Sequence, residues 1–342
     1  MSTSPTLSVT VGARKVLLED VLQVAMWGAK VDLHPATLAK EGLARPTDDP
    51  VSETSASQSL EVANSLLDVY ARAAIFGRIV SYMNKNSTVR SEVISYLADL
   101  LNAGVVPLLP KDGSEGRALA WALLGAGSCR STGGEVRPLM DALTEASLSP
   151  LPNLYDSEWR TVSLGTFTDV GIAALAAAAA ANAVEIADGV SCLTCEAVGA
   201  EAGPFDSQHF DACRPHRGQI ISAENLRVLL EGSKLINTGN TKRMSGASLA
   251  QAVRTIPQYH GPARESIAAA CRSLVTELNS GEAGPLGSGR GHVEPLDRQQ
   301  VVSNVSSLAE AVSVLADGAL RRSLALRQGQ ESTGEGGQTV GE

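Results

Sequence analysis

The side chains best suited to chemistry are Cys192 and Cys195, followed after thirteen residues by His209 and then Cys213. Thiolate and imidazole ligands at that spacing approximate a zinc knuckle, which would hold a tetrahedral Zn2+. The competing reading is structural, because cysteines three apart share one helix face and pack there as small apolar groups. The structural reading is preferred: no second cysteine pair completes a ligand set, and "GAEAGPFDSQ" in between lacks finger-like strands. No metal is expected. A second candidate is "RPHRGQ", residues 214–219, where two arginines, a histidine and a turn precede a helix and could receive a carboxylate. A third is "KDGSEGRALAWALLGAG", residues 111–127, a glycine turn running into an apolar helix. A helix start of this kind can bind an anion. A nucleotide loop would continue Gly-Lys-Ser/Thr, and Arg117-Ala118 stand there instead, so no nucleotide site is expected. Histidines 34, 209, 216, 260 and 292 form no Ser-His-Asp or Cys-His grouping in linear order, and each reads as a hydrogen-bonded or surface histidine.

The elements that must position these residues are mostly helices. The chain has 342 residues, 44% apolar and only 4% aromatic, which suits close helix packing with small side chains. Apolar residues at period 3.6 predict a helix from Leu60 through Leu67, Tyr70, Ala74 and Ile75 toward Met83. Another is predicted from a cap at Ser87 or Thr88, with Val93, Leu97, Leu100 and Leu101 inward, to a stop at Gly104. Further helices are predicted at 168–198, after a cap at Ser222, from Pro262 to Asn279, and at 297–327. The last carries Val301, Val305, Leu308, Val312, Leu315 and Leu320 on its inner face. Strand signals are confined to "LSVTV" at 7–11 and "GEVRPL" at 134–139. Residues 44–58 read as a flexible loop and 328–342 as a disordered tail. Net charge is −9 with no Lys/Arg cluster, which argues against nucleic acid and anionic membranes as partners. The alanine-rich run Val170–Val184 is shorter than the ~20 residues of a bilayer span and reads as a buried helix. No signal peptide is visible, and five cysteines, an odd number, suggest free thiols in a reducing, cytoplasmic setting.

In order along the chain, "VLLEDVLQVAM", "VRSEVISYLADLLNAGVVPLLPKDGSEG", "CEAVGAEAGPFDSQHFDACRPHRGQ", "RTIPQYHG" and "GSGRGHVEP" resemble the blocks of the aromatic amino acid lyase family, the histidine and phenylalanine ammonia-lyases and related aminomutases. The resemblance is collinear from about residue 7 to 325. It implies a mainly α fold, a long-helix bundle of the ammonia-lyase type with few short strands, normally assembled as a tetramer. It also implies that active members make a methylidene-imidazolone electrophile from an Ala-Ser-Gly tripeptide, and draw a tyrosine base from an N-terminal loop.

Departures from the family pattern fall on its chemistry. After Gly116 the family reads Ala-Ser-Gly-Asp-Leu-Ala-Pro-Leu, whereas Arg117-Ala118 here pass directly into the next helix. Residues 44–58 offer neither tyrosine nor glycine for the Tyr-Gly-x-Asn-Thr-Gly loop. The Asn of Asn-Gly-Thr is Leu164, the Tyr of Tyr-Ser-x-Arg is Gln251, and Arg290-Gly291 replace the Asn-Phe before His292. Arg254, which in the family binds the substrate carboxylate, is kept. A structural salt bridge is the preferred reading for it over a residual ligand site.

The expectation is a catalytically degenerate homologue with no catalytic residues and no cofactor. Arg254, Gln251, Leu164 and His292 would be at most a vestigial substrate site. Its domains would be 1–160, a helical bundle part at 161–327 and the tail at 328–342. The chain stops where the family continues with a further helical segment, so uncovered apolar helix surface is expected, and with it a homo- or hetero-oligomer. The alternative is an aromatic amino acid ammonia-lyase working in a mixed oligomer with a full-length paralogue.

Overall fold

The computed structural model describes residues 7–41, 49–50, 64–84, 89–131, 134–163, 167–237, 247–280 and 297–334. Leu164, Arg290 and His292, most of the 44–58 loop, and the caps expected at Ser87 or Thr88 lie outside them. The chain divides into two compact units, residues 1–178 with 272–304, and 179–271 with 305–342. The boundary expected near residue 160 is displaced because three long helices are each divided between the two units.

In the first unit, β1 (Ser8–Val11) and β2 (Lys30–Leu33) form a parallel pair joined through α1 (Leu18–Met26), and α2 (Pro35–Glu41) follows. α3 (Asp68–Tyr82), α4 (Ser91–Ala103) and α5 (Glu115–Leu123) build the core, with Ile75, Phe76, Leu97, Leu100, Leu119 and Leu123 fully buried. β3 (Ser128–Arg130) and β4 (Val136–Pro138) make a short antiparallel ribbon before α6 (Leu139–Glu145) and α7 (Asp156–Ser163). The first turns of α8 (Phe167–Val198), and the segments of two later helices assigned to this unit, complete it.

Local chemistry explains several boundaries. α4 ends as the Asn-Ala-Gly pattern requires: Gly104 takes a left-handed φ of 73°, and Val105 N–H reaches back to the Leu100 carbonyl. Asn102 serves a second purpose, since its side-chain amide pairs with both backbone groups of Val31 at 2.7 and 2.9 Å and closes one edge of β2. α3 starts at Asp68 rather than near Leu60. Leu66 N–H bonds the Leu109 carbonyl and Ser65 bridges Pro110, so the preceding backbone is extended, leaving Leu67 and Tyr70 exposed. Glu158 is wholly buried and is matched by Arg90, whose guanidinium donates to both carboxylate oxygens at 2.7 and 3.0 Å.

The second unit contains the rest of α8, α9 (Arg217–Leu230), α10 (Ala247–Arg254), and most of α11 (Ile256–Leu278) and α12 (Asp297–Gly334). Its apolar core joins Cys192, Cys195 and Val198 to Phe205, Leu226, Leu230, Val253 and Ile256. Three sequence expectations change here. α9 begins at Arg217, so Ser222 lies inside the helix rather than capping it. α11 begins at Ile256 and carries Pro262 internally. α12 runs to Gly334, into the expected disordered tail. Gly261, just before that proline, and Gly218 on α9 explain the second change. An added Cβ at Gly218 would stand 2.2 Å from the Gly261 carbonyl oxygen, so the helices meet backbone to backbone and the turn before Pro262 is held helical.

α8 is 32 residues long, matching the helix expected at 168–198, and contains the apolar run Val170–Val184. By length and composition this helix could cross a membrane, and half of its most apolar stretch is buried inside the protein.

Gly171 on α8 marks another close approach, its added Cβ falling 2.3 Å from the Ala73 carbonyl oxygen of α3. Gly171→Ala is therefore expected to destabilise by about 1–3 kcal/mol through overpacking. Gly189 on the same helix has nothing within 4 Å, and Gly189→Ala should stabilise by about 0.5–1 kcal/mol. Urea denaturation of both variants reads the opposite signs.

Candidate functional site

The turn ahead of α5 is closed by its own side chains. Asp112 accepts hydrogen bonds from Ser114 N–H at 3.0 Å and Ser114 Oγ at 2.6 Å, and Glu115 accepts from Gly113 N–H at 3.2 Å. The Ser114 bonds hold the Asp112 carboxyl below the usual carboxylate range. Two internal carboxylates thus take the loop N–H groups of Gly113 and Ser114 ahead of the helix. Gly116 is already helical and buried, and its added Cβ would lie 2.5 Å from the Ser163 carbonyl oxygen of α7. The family's electrophile requires an Ala-Ser-Gly tripeptide here, and none occurs anywhere in the 342 residues. The residues present do not fit that group, and no chemistry is derived through it.

The "RPHRGQ" segment forms the entry to α9, with Arg214, His216 and Arg217 all exposed. The carboxylate it receives is internal, since Glu265 of α11 accepts Gly218 N–H at 2.8 Å near the start of α9.

Cys192 and Cys195 are buried in the apolar core, while His209 and Cys213 are exposed. Burial pushes the two thiols up to about 11 and about 12, the opposite of what thiolate ligands require. The structure therefore separates the four residues of the zinc spacing, and no group of three ligating side chains occurs among the described residues.

Gln251 and Arg254 stand one turn apart on α10, both exposed. Arg254 makes no ion pair with a described residue, so the expected structural salt bridge is not found there. Among the described residues, none pairs with Arg254.

The densest polar cluster was not legible in the sequence. Asp188, 1% exposed in the middle of α8, accepts hydrogen bonds from four side chains on two other helices. Ser222 Oγ–H donates to Oδ1 at 2.6 Å, and Asn225 donates to Oδ2 at 2.8 Å, both from α9. From α11, His260 Nδ1 meets Oδ1 at 2.7 Å and Arg264 donates to Oδ2 at 2.7 Å. Arg264 also pairs with Glu185, one turn earlier on α8. The signal that could have found it is an acid, Asp188, following the alanine-rich run of α8, together with Ser222 and Asn225 at i, i+3 on one face.

This cluster contains serine, histidine and aspartate without the geometry of a nucleophilic triad. Ser222 and His260 both bind the same oxygen of Asp188, so the hydroxyl proton is directed at the carboxylate rather than at an imidazole base. His260 Nε2 is buried and has no hydrogen-bond partner. The arrangement is a three-helix fastener.

Burial opposes ionisation of Asp188, yet the hydrogen bonds from His260, Ser222 and Asn225 outweigh it and hold the carboxyl below its ordinary 3.8. A depressed folded-state value means the contribution is fully present above the ordinary one, and is lost as pH falls through the folded one. Asp188→Asn, which removes the buried carboxylate facing Arg264 and leaves it only the exposed Glu185, is expected to cost about 3–5 kcal/mol at neutral pH. The gap between wild type and variant should close as pH falls below about 4, read by chemical denaturation at two pH values.

The family model for aromatic amino acid lyase matches residues 48–328. Histidine ammonia-lyase of Caldanaerobacter subterraneus is 31% identical over 67% of this chain and 46% of its own length. Histidine ammonia-lyase 2 of Fusobacterium nucleatum is 28% identical over 81% of this chain and 61% of its own. The chain thus spans roughly half to three-fifths of the length of these relatives. The solved tyrosine aminomutase of Streptomyces globisporus superposes with a TM-score of 0.78 at 24% identity, covering 92% of this chain and 70% of that one. The likeness to that structure confirms the mainly α ammonia-lyase fold. By the extent of the family match, the chain belongs to the aromatic amino acid lyase family.

Proposed function

We propose that this chain is a catalytically inactive member of its family, a helical scaffold that works in the cytoplasm by association with itself or with another chain. One observation carries the reading: where active members encode Ala-Ser-Gly, this chain runs from Gly116 straight into a helix whose entry is closed by Asp112 and Glu115. On this reading the methylidene-imidazolone does not form. The substitutions at Leu164, Gln251 and Arg290 support the same conclusion, because each removes a side chain that the family pattern would supply. Association is supported by exposed large apolar residues on long helices, including Ile186, Val190 and Leu193 on α8.

A second reading rests on Arg254. An exposed arginine with no partner among the described residues, at the position that binds substrate carboxylate in the family, suits an ammonia-lyase of mixed composition. In it a full-length paralogue would supply the electrophile.

Purified protein incubated with L-histidine, L-phenylalanine or L-tyrosine is expected to give no urocanate, cinnamate or coumarate by absorbance. Product formation by the chain alone would overturn the proposal. Product formed only after co-expression with a full-length paralogue, and lost in Arg254→Ala, would establish the second reading instead.

A further inference from the structure

Arg322, on α12 in the second unit, is 5% exposed. Its Nη1 is buried without a hydrogen-bond partner, and no described carboxylate pairs with the side chain. A guanidinium stays charged at any pH a folded protein meets, so an unmatched one cannot relieve its burial by losing a proton. Burial draws Arg322 below the ordinary arginine value, opposed only in part by Cys195 and Asp188. Neither is free to match it. The Cys195 thiol is pushed up to about 12 by its own burial and stays neutral. Asp188 already accepts from Ser222, Asn225, His260 and Arg264, and Glu185 is taken by Arg264. Of the cations in this cluster, Arg322 is the one whose counter-charge the described residues do not supply.

A second unpartnered nitrogen lies at the same helix crossing. A Cβ added at Gly318 on α12 would stand 3.5 Å from Arg322 Nη1 and 3.3 Å from Tyr259 Cβ on α11. Arg321 lies over the Tyr259 ring, 5.7 Å from its centre. The turn of α12 that carries Arg322 therefore packs on α11 at Tyr259, and His260 comes next. His260 is wholly buried, with Nδ1 on Asp188 and Nε2 unpartnered. A trapped water would give Arg322 an acceptor but no opposing charge. An anion gives both. The enclosure of both side chains restricts it to a small ion of single charge, because each further charge taken out of water adds a cost that one guanidinium cannot offset. We propose that the crossing of α11 and α12 binds a halide-class anion, chloride in nature and bromide as its probe, with Arg322 Nη1 as the charged donor. His260 Nε2 is the second contact, donating its N–H when the ring carries a proton on each nitrogen. Charges then close in pairs: Arg264 with Glu185, His260 with Asp188, and Arg322 with the ion.

Urea denaturation at constant ionic strength tests this, with sodium bromide replacing sodium gluconate stepwise. Wild type is compared with Arg322→Met, which removes the charge and keeps an unbranched apolar side chain. The expected result is a wild-type folding constant that rises and saturates with bromide, roughly tenfold where bromide stands at ten times its dissociation constant. No rise is expected in Arg322→Met. Equal bromide dependence in both proteins, or none in wild type, overturns the site. Diffraction at the bromine absorption edge, on wild-type crystals grown with bromide, does not depend on how the variant folds. An anomalous peak in contact with Arg322 Nη1 supports the proposal. A water, or a side chain of the protein, in that place overturns it. Neither readout involves the product assay, so the inactivity reading stands or falls separately.

Discussion

A carboxylate taken out of water must be matched or it unfolds what surrounds it. Asp188 meets that condition in the second unit with donors from α9 and α11 on both of its oxygens. The requirement acts in both directions. The carboxylate fixes the rotation of three helices about their own axes, because only one rotation of each aims Ser222, Asn225, His260 and Arg264 at the same point. The glycine pair Gly218 and Gly261 brings α9 and α11 near enough for those short side chains to arrive. Apolar packing around Cys195 and Leu226 supplies cohesion without direction. The polar hub supplies the direction.

The turn before α5 is held by a different set of contacts. Fold-determining contacts lie within helices and at their crossings, far along the chain from the turn before α5. At the start of α5, Asp112 and Ser114 close the turn and Gly116, already helical, seats against Ser163.

Much of the helix content was legible because small apolar residues recur at period 3.6 and glycine marks stops such as Gly104. The starts were less legible. Ser222 has the composition of a cap, yet it is mid-helix because Asp188 needs its hydroxyl there. Pro262 resembles a first-turn residue, yet α11 begins before it because Gly261 is pressed against α9. Leu67 continues the helical period into a segment that is extended, because residues 64–66 bond the strand-like stretch at 109–111. Each miss is a tertiary demand overriding a local preference. The candidate site behaved likewise. The zinc spacing is divided between buried Cys192 and Cys195 on α8 and exposed His209 and Cys213, while the Asp188 cluster joins residues up to 76 apart that no linear pattern connects.

α12 shows what a helical period says and what it leaves open. Val301, Val305, Leu308, Val312, Leu315 and Leu320 all satisfy a loose apolar period, and from letters alone they form one face. In the fold they separate, with Leu308 and Leu315 inside and Val305, Val312 and Leu320 outside. A stripe some 100° wide satisfies a helix packed on one side; α12 is apolar over a wider arc than its own chain covers. Keeping valines on the outer edge leaves apolar surface in water. Between them the outer positions hold alanine, so that edge carries small side chains without charge, and the period alone does not say which of the two stripes the fold covers.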